Sequence, residues 1–185
     1  MPSVYLSPSL QEFNPYINGG TEEEYANLIV DAMEPYLLAS GIDFGRNDPD
    51  MTLSEAIADS NAGDYDFHFS IHTNAGPPSF AGKLQGPDVY YYATSYYGKE
   101  MAEIVADNLA LIYPYPEKSN TVPTTTLAEL RRTKVPSVLV EVAYHDNLED
   151  AQWIKDNVEP IAYELSKSIA EYFGIPFVEP SLYMD

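Results

Sequence analysis

A chain of 185 residues, 45% of them hydrophobic, is long enough to bury one sizeable core and too short for two ordinary domains, so a single globular domain is expected. Its 29 acidic residues against 9 basic ones give a formal net charge of -20, which argues against nucleic acid or an anionic membrane as a partner, because both need clustered Lys and Arg. The absence of cysteine excludes disulfides, thiolate metal sites and a cysteine nucleophile, leaving any metal to His, Glu, Asp or amide oxygen.

No apolar run approaches the length of a membrane span, and the opening "MPSVYLSPSLQEF" has neither a basic region nor an apolar stretch of the signal-peptide kind, so a soluble, unexported chain is expected. "SVYLS" predicts a strand that stops at Pro8, followed by the turn-rich "PYINGG". Thr21 and Glu24 form a capping-box pattern, and Tyr25, Leu28, Ile29, Ala32, Met33, Tyr36 and Leu37 recur at helical spacing as far as Gly41, with Pro35 predicting a kink. A second capping box, Thr52 to Glu55, opens a shorter helix through Ala58.

"YDFHFSIH" and "DVYYYAT" read as strands, "YYGKEMAEIVADNLALIY" as an amphipathic helix, and "VPSVLVEVAY" as a strand covered on both faces. Helices follow from Leu148 to Asn157 and from Pro160 to Phe173, where Gly174 stops the last one. This alternation predicts an α/β fold, a single three-layer domain of the phosphorylase/hydrolase-like kind with a largely parallel central sheet flanked by helices. Its expected bounds are residues 1–177, with 178–185 as a C-terminal tail.

Ligands of open parallel sheets gather outside the carboxyl ends of the strands, and three strands end in polar residues: Ser7 to Glu12, His72 to Asn74 and Glu141 to Asn147. His72 should project into that crevice, where an imidazole either holds a metal or makes structural hydrogen bonds. Glu141 interrupts "VLVEVAY", and a carboxylate buried there needs a cation or a metal-bound water beside it. The "EEE" of residues 22–24 by itself suits the first turn of a helix. Four residues of strand span about 13 Å, so His68 and His72 share a face but not one metal, and His68 is expected to be a hydrogen-bonded core histidine.

The segments "EEYANLIVDAMEPYLLASG", "SNAGDYDFHFSIHTNAG", "GPDVYYYATSYYGKEMAEIV" and "TLAELRRTKVPSVLVEVAYHDNLEDAQWI", in this order, resemble a zinc-dependent N-acetylmuramoyl-L-alanine amidase over nearly the whole chain. The resemblance implies a Zn2+ cofactor with His72 and Glu23 as ligands, the latter four residues before Asn27. It implies Glu141 as the catalytic carboxylate, and Asn74 and Arg131 as site-wall residues. It also implies a peptidoglycan substrate, in which zinc-activated water would cleave the amide between the lactyl group of N-acetylmuramic acid and L-alanine of the stem peptide.

The departure is in the first strand, where the family ends on an Asp-Pro-Gly-His-Gly-Gly stretch. Here the text is "SPSLQEF", and Leu10 stands in place of the first zinc histidine. Gln11 and His145 are the leading candidates for the missing ligand, ahead of Glu12. A zinc peptidase of other specificity, or a non-catalytic wall-binding module on the same fold, are the alternatives. Action on the bacterial cell wall without a signal peptide points to release by lysis, spore association or a domain of a secreted protein; oligomeric state is open.

Overall fold

The computed structural model describes residues 1–181. Its elements, in order, are β1 (Ser3–Pro8), α1 (Glu22–Ala39), β2 (Asp43–Arg46), α2 (Leu53–Ala62), β3 (Phe67–Asn74), β4 (Asp88–Tyr92), α3 (Tyr96–Ile112), β5 (Asn120–Thr124), α4 (Ala128–Arg132), β6 (Ser137–Tyr144), α5 (Leu148–Asp156) and α6 (Val158–Tyr172). The six strands form one sheet in the order β2-β1-β3-β6-β4-β5. All neighbours are parallel except β4 and β6, which run antiparallel.

The expected α/β domain with a largely parallel sheet is therefore present. The pattern that builds it is clearest in β3 and β6, whose residues are buried on both faces almost throughout. On one face Val4, Leu6, Phe67, Phe69, Ile71 and Val140 pack under α1, α6 and α3, with α6 lying between the other two helices. The opposite face carries Tyr5, Ser7, His68, Ser70 and His72 and is reached by the short helices α2 and α4, through Asp59 and Ser60 from the first and Glu129 from the second. Polar side chains on this second face mark where the sheet is specialised.

Two edge strands and α4 lack a sequence signal. β2 has four residues, with Gly45 lying against the Tyr65 ring so closely that a Cβ has no room, and β5 contains Pro123, which only an edge strand tolerates. The second capping box is complete, Thr52 Oγ1 accepting from Glu55 N at 3.3 Å and Glu55 Oε2 accepting from Thr52 N at 2.8 Å, and its helix runs on to Ala62. Helix α1 continues through the exposed Pro35, and its buried stripe is Glu22, Ala26, Ile29, Val30, Met33 and Leu37, with Leu28 turned outward. Of the expected tail, Val178 is docked by a 2.9 Å bond from its N–H to Ser40 Oγ beside the Phe177 ring stacked on Tyr36; residues 182–185 lie outside the described part.

Candidate active site

Because β1, β3 and β6 are neighbours, their carboxyl ends share one rim. The register pairs Ser7 with Ser70 and His72 with Glu141, so side chains distant in sequence open into one crevice. Its volume is about 550 Å³, and its lining includes Leu10, Gln11, Phe13, His72, Glu129 and Glu141. This is the place where an open α/β sheet binds its ligand.

His72 is the centre of the crevice. Its Nδ1 lies 2.8 Å from Glu22 Oε1 and its Nε2 3.1 Å from Glu129 Oε2. A neutral imidazole has one N–H, so two carboxylate acceptors are both satisfied only by the imidazolium. Burial works against that charge, but the bonds to Glu129 and Glu22 outweigh it and hold the imidazole well above its usual pKa. Burial likewise opposes ionisation of the two carboxyls, yet the histidine bonds hold both Glu22 and Glu129 below the ordinary carboxylate range.

Glu22 is the first residue of α1, where the helix dipole favours a carboxylate, and Thr21 caps the helix by accepting from Glu24 N at 3.2 Å. The carboxylate of Glu22 also accepts from Asn14 Nδ2 at 2.7 Å and Gln11 Nε2 at 3.4 Å. This corrects the expectation for Glu23. One residue along a helix is a rotation of about 100°, and the side chain that faces the crevice is the one in phase with the buried stripe Ala26, Ile29, Val30, Met33 and Leu37. Counting back from that stripe, rather than from the partly exposed Asn27, lands on Glu22.

Glu129 carried no sequence signal beyond an acidic residue between two leucines in "TLAEL". It is 3% exposed and accepts from Ser7 Oγ at 2.6 Å and Ser70 Oγ at 2.8 Å. His68 Nε2 lies 3.1 Å from the same Glu129 oxygen, while His68 Nδ1 is 2.8 Å from Ser60 Oγ. His68 is thus fully buried and hydrogen-bonded, as expected, and the two histidines that cannot share a metal share the two oxygens of Glu129 instead. The Nε2–H tautomer of His68, with Ser60 donating to Nδ1, satisfies these contacts.

Glu141 differs from the other two acids. Its Oε2 is buried without a hydrogen-bond partner, and burial, reinforced by the charges of Glu22, Asp88 and Glu129 against the relief from His72, pushes its carboxyl up to about 8. A carboxyl with that pKa, opening into a crevice beside an imidazolium, is suited to proton transfer near neutral pH.

The remaining expected residues fall elsewhere. His145 is buried with its Nδ1 2.9 Å from Thr73 O and 3.0 Å from Thr73 Oγ1 and its ring stacked on Tyr16, and it does not line the crevice. Glu12 is exposed. Asn74 ends β3 and folds back onto its own chain, its Oδ1 accepting from Ala75 N at 2.9 Å. Arg131 is exposed and lines a separate shallow groove with Lys134, Pro136 and Ser137 at the amino end of β6, away from the crevice.

Known proteins share the family and the fold of this chain. Residues 13–171 match the family described as N-acetylmuramoyl-L-alanine amidase. The chain is 30% identical over 163 residues to N-acetylmuramoyl-L-alanine amidase LytC of Bacillus subtilis (strain 168), covering 84% of this chain and 32% of that protein; it therefore spans about a third of its curated relative. Its fold is similar to that of amidase AmiC2 of Nostoc punctiforme, with a TM-score of 0.82 at 20% identity over 94% of this chain and 97% of the other. It is also similar to Cwp6 from Clostridium difficile, with a TM-score of 0.82 at 24% identity over 92% of this chain and 29% of the other. With the family matched over residues 13–171, most of its length, the chain belongs to the N-acetylmuramoyl-L-alanine amidases.

Proposed function

We propose that this chain hydrolyses the amide joining the lactyl group of N-acetylmuramic acid to the first L-alanine of a peptidoglycan stem, with Glu141 as its catalytic residue. One observation carries the assignment to this crevice: Glu141 presents a buried, unpartnered carboxyl oxygen there, with its pKa raised to about 8, in a chain of the amidase family. The cell wall is accordingly the place of action.

The chemistry asks for a proton acceptor as water attacks, a positive charge near the developing oxyanion, and a proton for the departing nitrogen. Glu141 in its ionised form takes the proton of the attacking water and returns it to the amide nitrogen as the tetrahedral intermediate collapses. His72, fixed from both sides by Glu22 and Glu129, stands opposite Glu141 in the strand register and opposes the upward push of burial on that carboxyl; with both ring nitrogens already facing carboxylates, it leaves the oxyanion to other donors. Phe13, Met51 and Leu53 give the crevice apolar walls for the substrate.

The family is generally zinc-dependent. The donor set present here does not fit that ion: His72 meets a carboxylate at each ring nitrogen, Gln11 presents N–H groups, and the described residues contain no group of three or more His, Asp and Glu arranged to hold a metal.

Mass spectrometry of intact muropeptides after incubation tests the proposal. The expected products are free stem peptides with a new N-terminal L-alanine and intact glycan strands. Cleavage at another amide would make the chain a peptidase on this scaffold, and wall binding without any cleavage would make it the non-catalytic module.

A further inference from the structure

The crevice has the spacing of a metal site without its donors. Gln11 Nε2, Glu22 Oε1 and His72 Nδ1 form a triangle with sides of 3.4, 3.5 and 2.8 Å. Three ligands on a tetrahedral zinc, with bonds of about 2.0–2.1 Å, stand about 3.3 Å apart. Two sides of the triangle match that figure, and the third is shortened to a hydrogen bond.

What occupies the corners is decided by Asn14. Its Nδ2 donates to Glu22 Oε2 at 2.7 Å and to Gln11 Oε1 at 3.0 Å, using both of its hydrogens. The Gln11 carbonyl must therefore face Asn14, and its NH2 must face Glu22 and His72. Reversing the Gln11 amide would set two NH2 groups against each other. Reversing Asn14 as well would aim its oxygen at the Glu22 carboxylate at 2.7 Å, acceptor against acceptor. An amide nitrogen has no lone pair to offer a cation, so the third corner of this triangle presents a hydrogen-bond donor and not a ligand.

His72 completes the case. A carboxylate on Nε2 alone, as Glu129 provides, is what a metal-bound imidazole normally carries. The other nitrogen, Nδ1, lies 2.8 Å from Glu22 Oε1, so this pair offers a cation one imidazole nitrogen and one carboxylate, two donors where a structural or catalytic zinc takes at least three from the protein.

We infer that this chain lacks the third donor a zinc site requires: beside His72 and Glu22 the remaining corner is closed by the NH2 of Gln11, held in that orientation by Asn14, which leaves one imidazole nitrogen and one carboxylate and no stoichiometric zinc site at neutral pH. The inference concerns the same crevice as the proposed hydrolysis but stands on hydrogen-bond geometry alone, so its test reads metal occupancy, not turnover. It also names the change that would convert the site. Gln11→His puts an imidazole at the corner now occupied by N–H, giving two histidines and Glu22 at ligand spacing.

The test uses the purified full chain, stripped with chelator and dialysed against micromolar zinc, with metal content read by mass spectrometry and the imidazoles followed by nitrogen-15 NMR. The expected wild-type result is far less than one zinc per chain and His72 nitrogen signals unmoved by zinc. Gln11→His is expected to retain about one zinc per chain. Stoichiometric zinc on the wild type, with one His72 nitrogen shifted to a metal-bound position, would overturn the inference whether or not the protein cleaves peptidoglycan. A folded Gln11→His chain that gains no zinc would overturn the role given to Gln11. Should that variant fail to fold, the wild-type stoichiometry and the His72 signals decide alone.

Discussion

Replacing Glu129 tests the centre of the site, because this one carboxylate serves four donors. Glu129→Ala removes the anion from one side of the His72 imidazolium and leaves Ser7, Ser70 and His68 without their acceptor. Removing one partner of a buried charge pair costs about 3–5 kcal/mol, and each buried donor left unpaired adds about 1–3 kcal/mol before relaxation. Rotation of the two hydroxyls and neutralisation of His72 recover part of this, so a net loss of about 3–5 kcal/mol is expected, a large share of a domain stability of about 5–15 kcal/mol.

Glu129→Gln keeps an oxygen for Ser7, Ser70 and His68 but turns an NH2 toward His72 Nε2, forcing that nitrogen to give up its proton. A smaller loss, about 1–3 kcal/mol, is expected. Guanidinium unfolding at pH 7, with the slope m unchanged, measures both. The sign with pH is also determined. Glu129 is held below its ordinary value of 4.5, so its contribution is complete above that pH and lost as pH falls through the folded pKa. The Gln variant should therefore show a shallower acid limb. A cost below about 1 kcal/mol for Glu129→Ala would refute the reasoning, as would an acid limb in Glu129→Gln as steep as in the wild type.

Other outcomes follow from the same contacts. Glu141→Gln should lower hydrolysis by about 10²- to 10⁴-fold, the range for loss of a positioned proton-transfer group, without unfolding the protein. Because the folded carboxyl titrates near 8 and the unfolded one near 4.5, the wild type should lose stability relative to Glu141→Gln as pH rises between those values, read as a difference in unfolding midpoint. The rate should rise with ionisation of Glu141, with an apparent pKa of about 8 in the kcat/KM profile; a profile flat from pH 6 to 9 would remove Glu141 from proton transfer. Glu22→Ala should cost several-fold more stability than Glu23→Ala, which is expected to stay within about 0.5 kcal/mol of wild type; equal costs would return the site to Glu23.

Much of this protein is determined locally. The strands around "FHFSIH" and "VLVEVAY" follow from β-branched and aromatic runs, the complete capping box at Thr52 and Glu55 from three-residue spacing, and the end of α6 from Gly174, whose φ of 65° is one that glycine adopts freely. His72 and Glu141 were legible as crevice residues because each interrupts or ends an apolar strand. Gln11 was legible only as a position, since which end of its amide faces the crevice depends on Asn14.

The remainder required the fold. Glu22 and Glu23 are equivalent in composition, and the phase of a helix packed on a sheet separates them. Glu129 reaches His72 from 57 residues away on a five-residue helix that has no signal of its own, so nothing local distinguishes it from a solvated acid. His145 and Arg131 carry suggestive chemistry, but strand pairing and loop direction turn one toward Thr73 and the other toward the opposite end of β6. Local spacing decides which elements form and which faces they bury. The partners of a buried charge are decided by which ends of the sheet come together, and that is a property of topology.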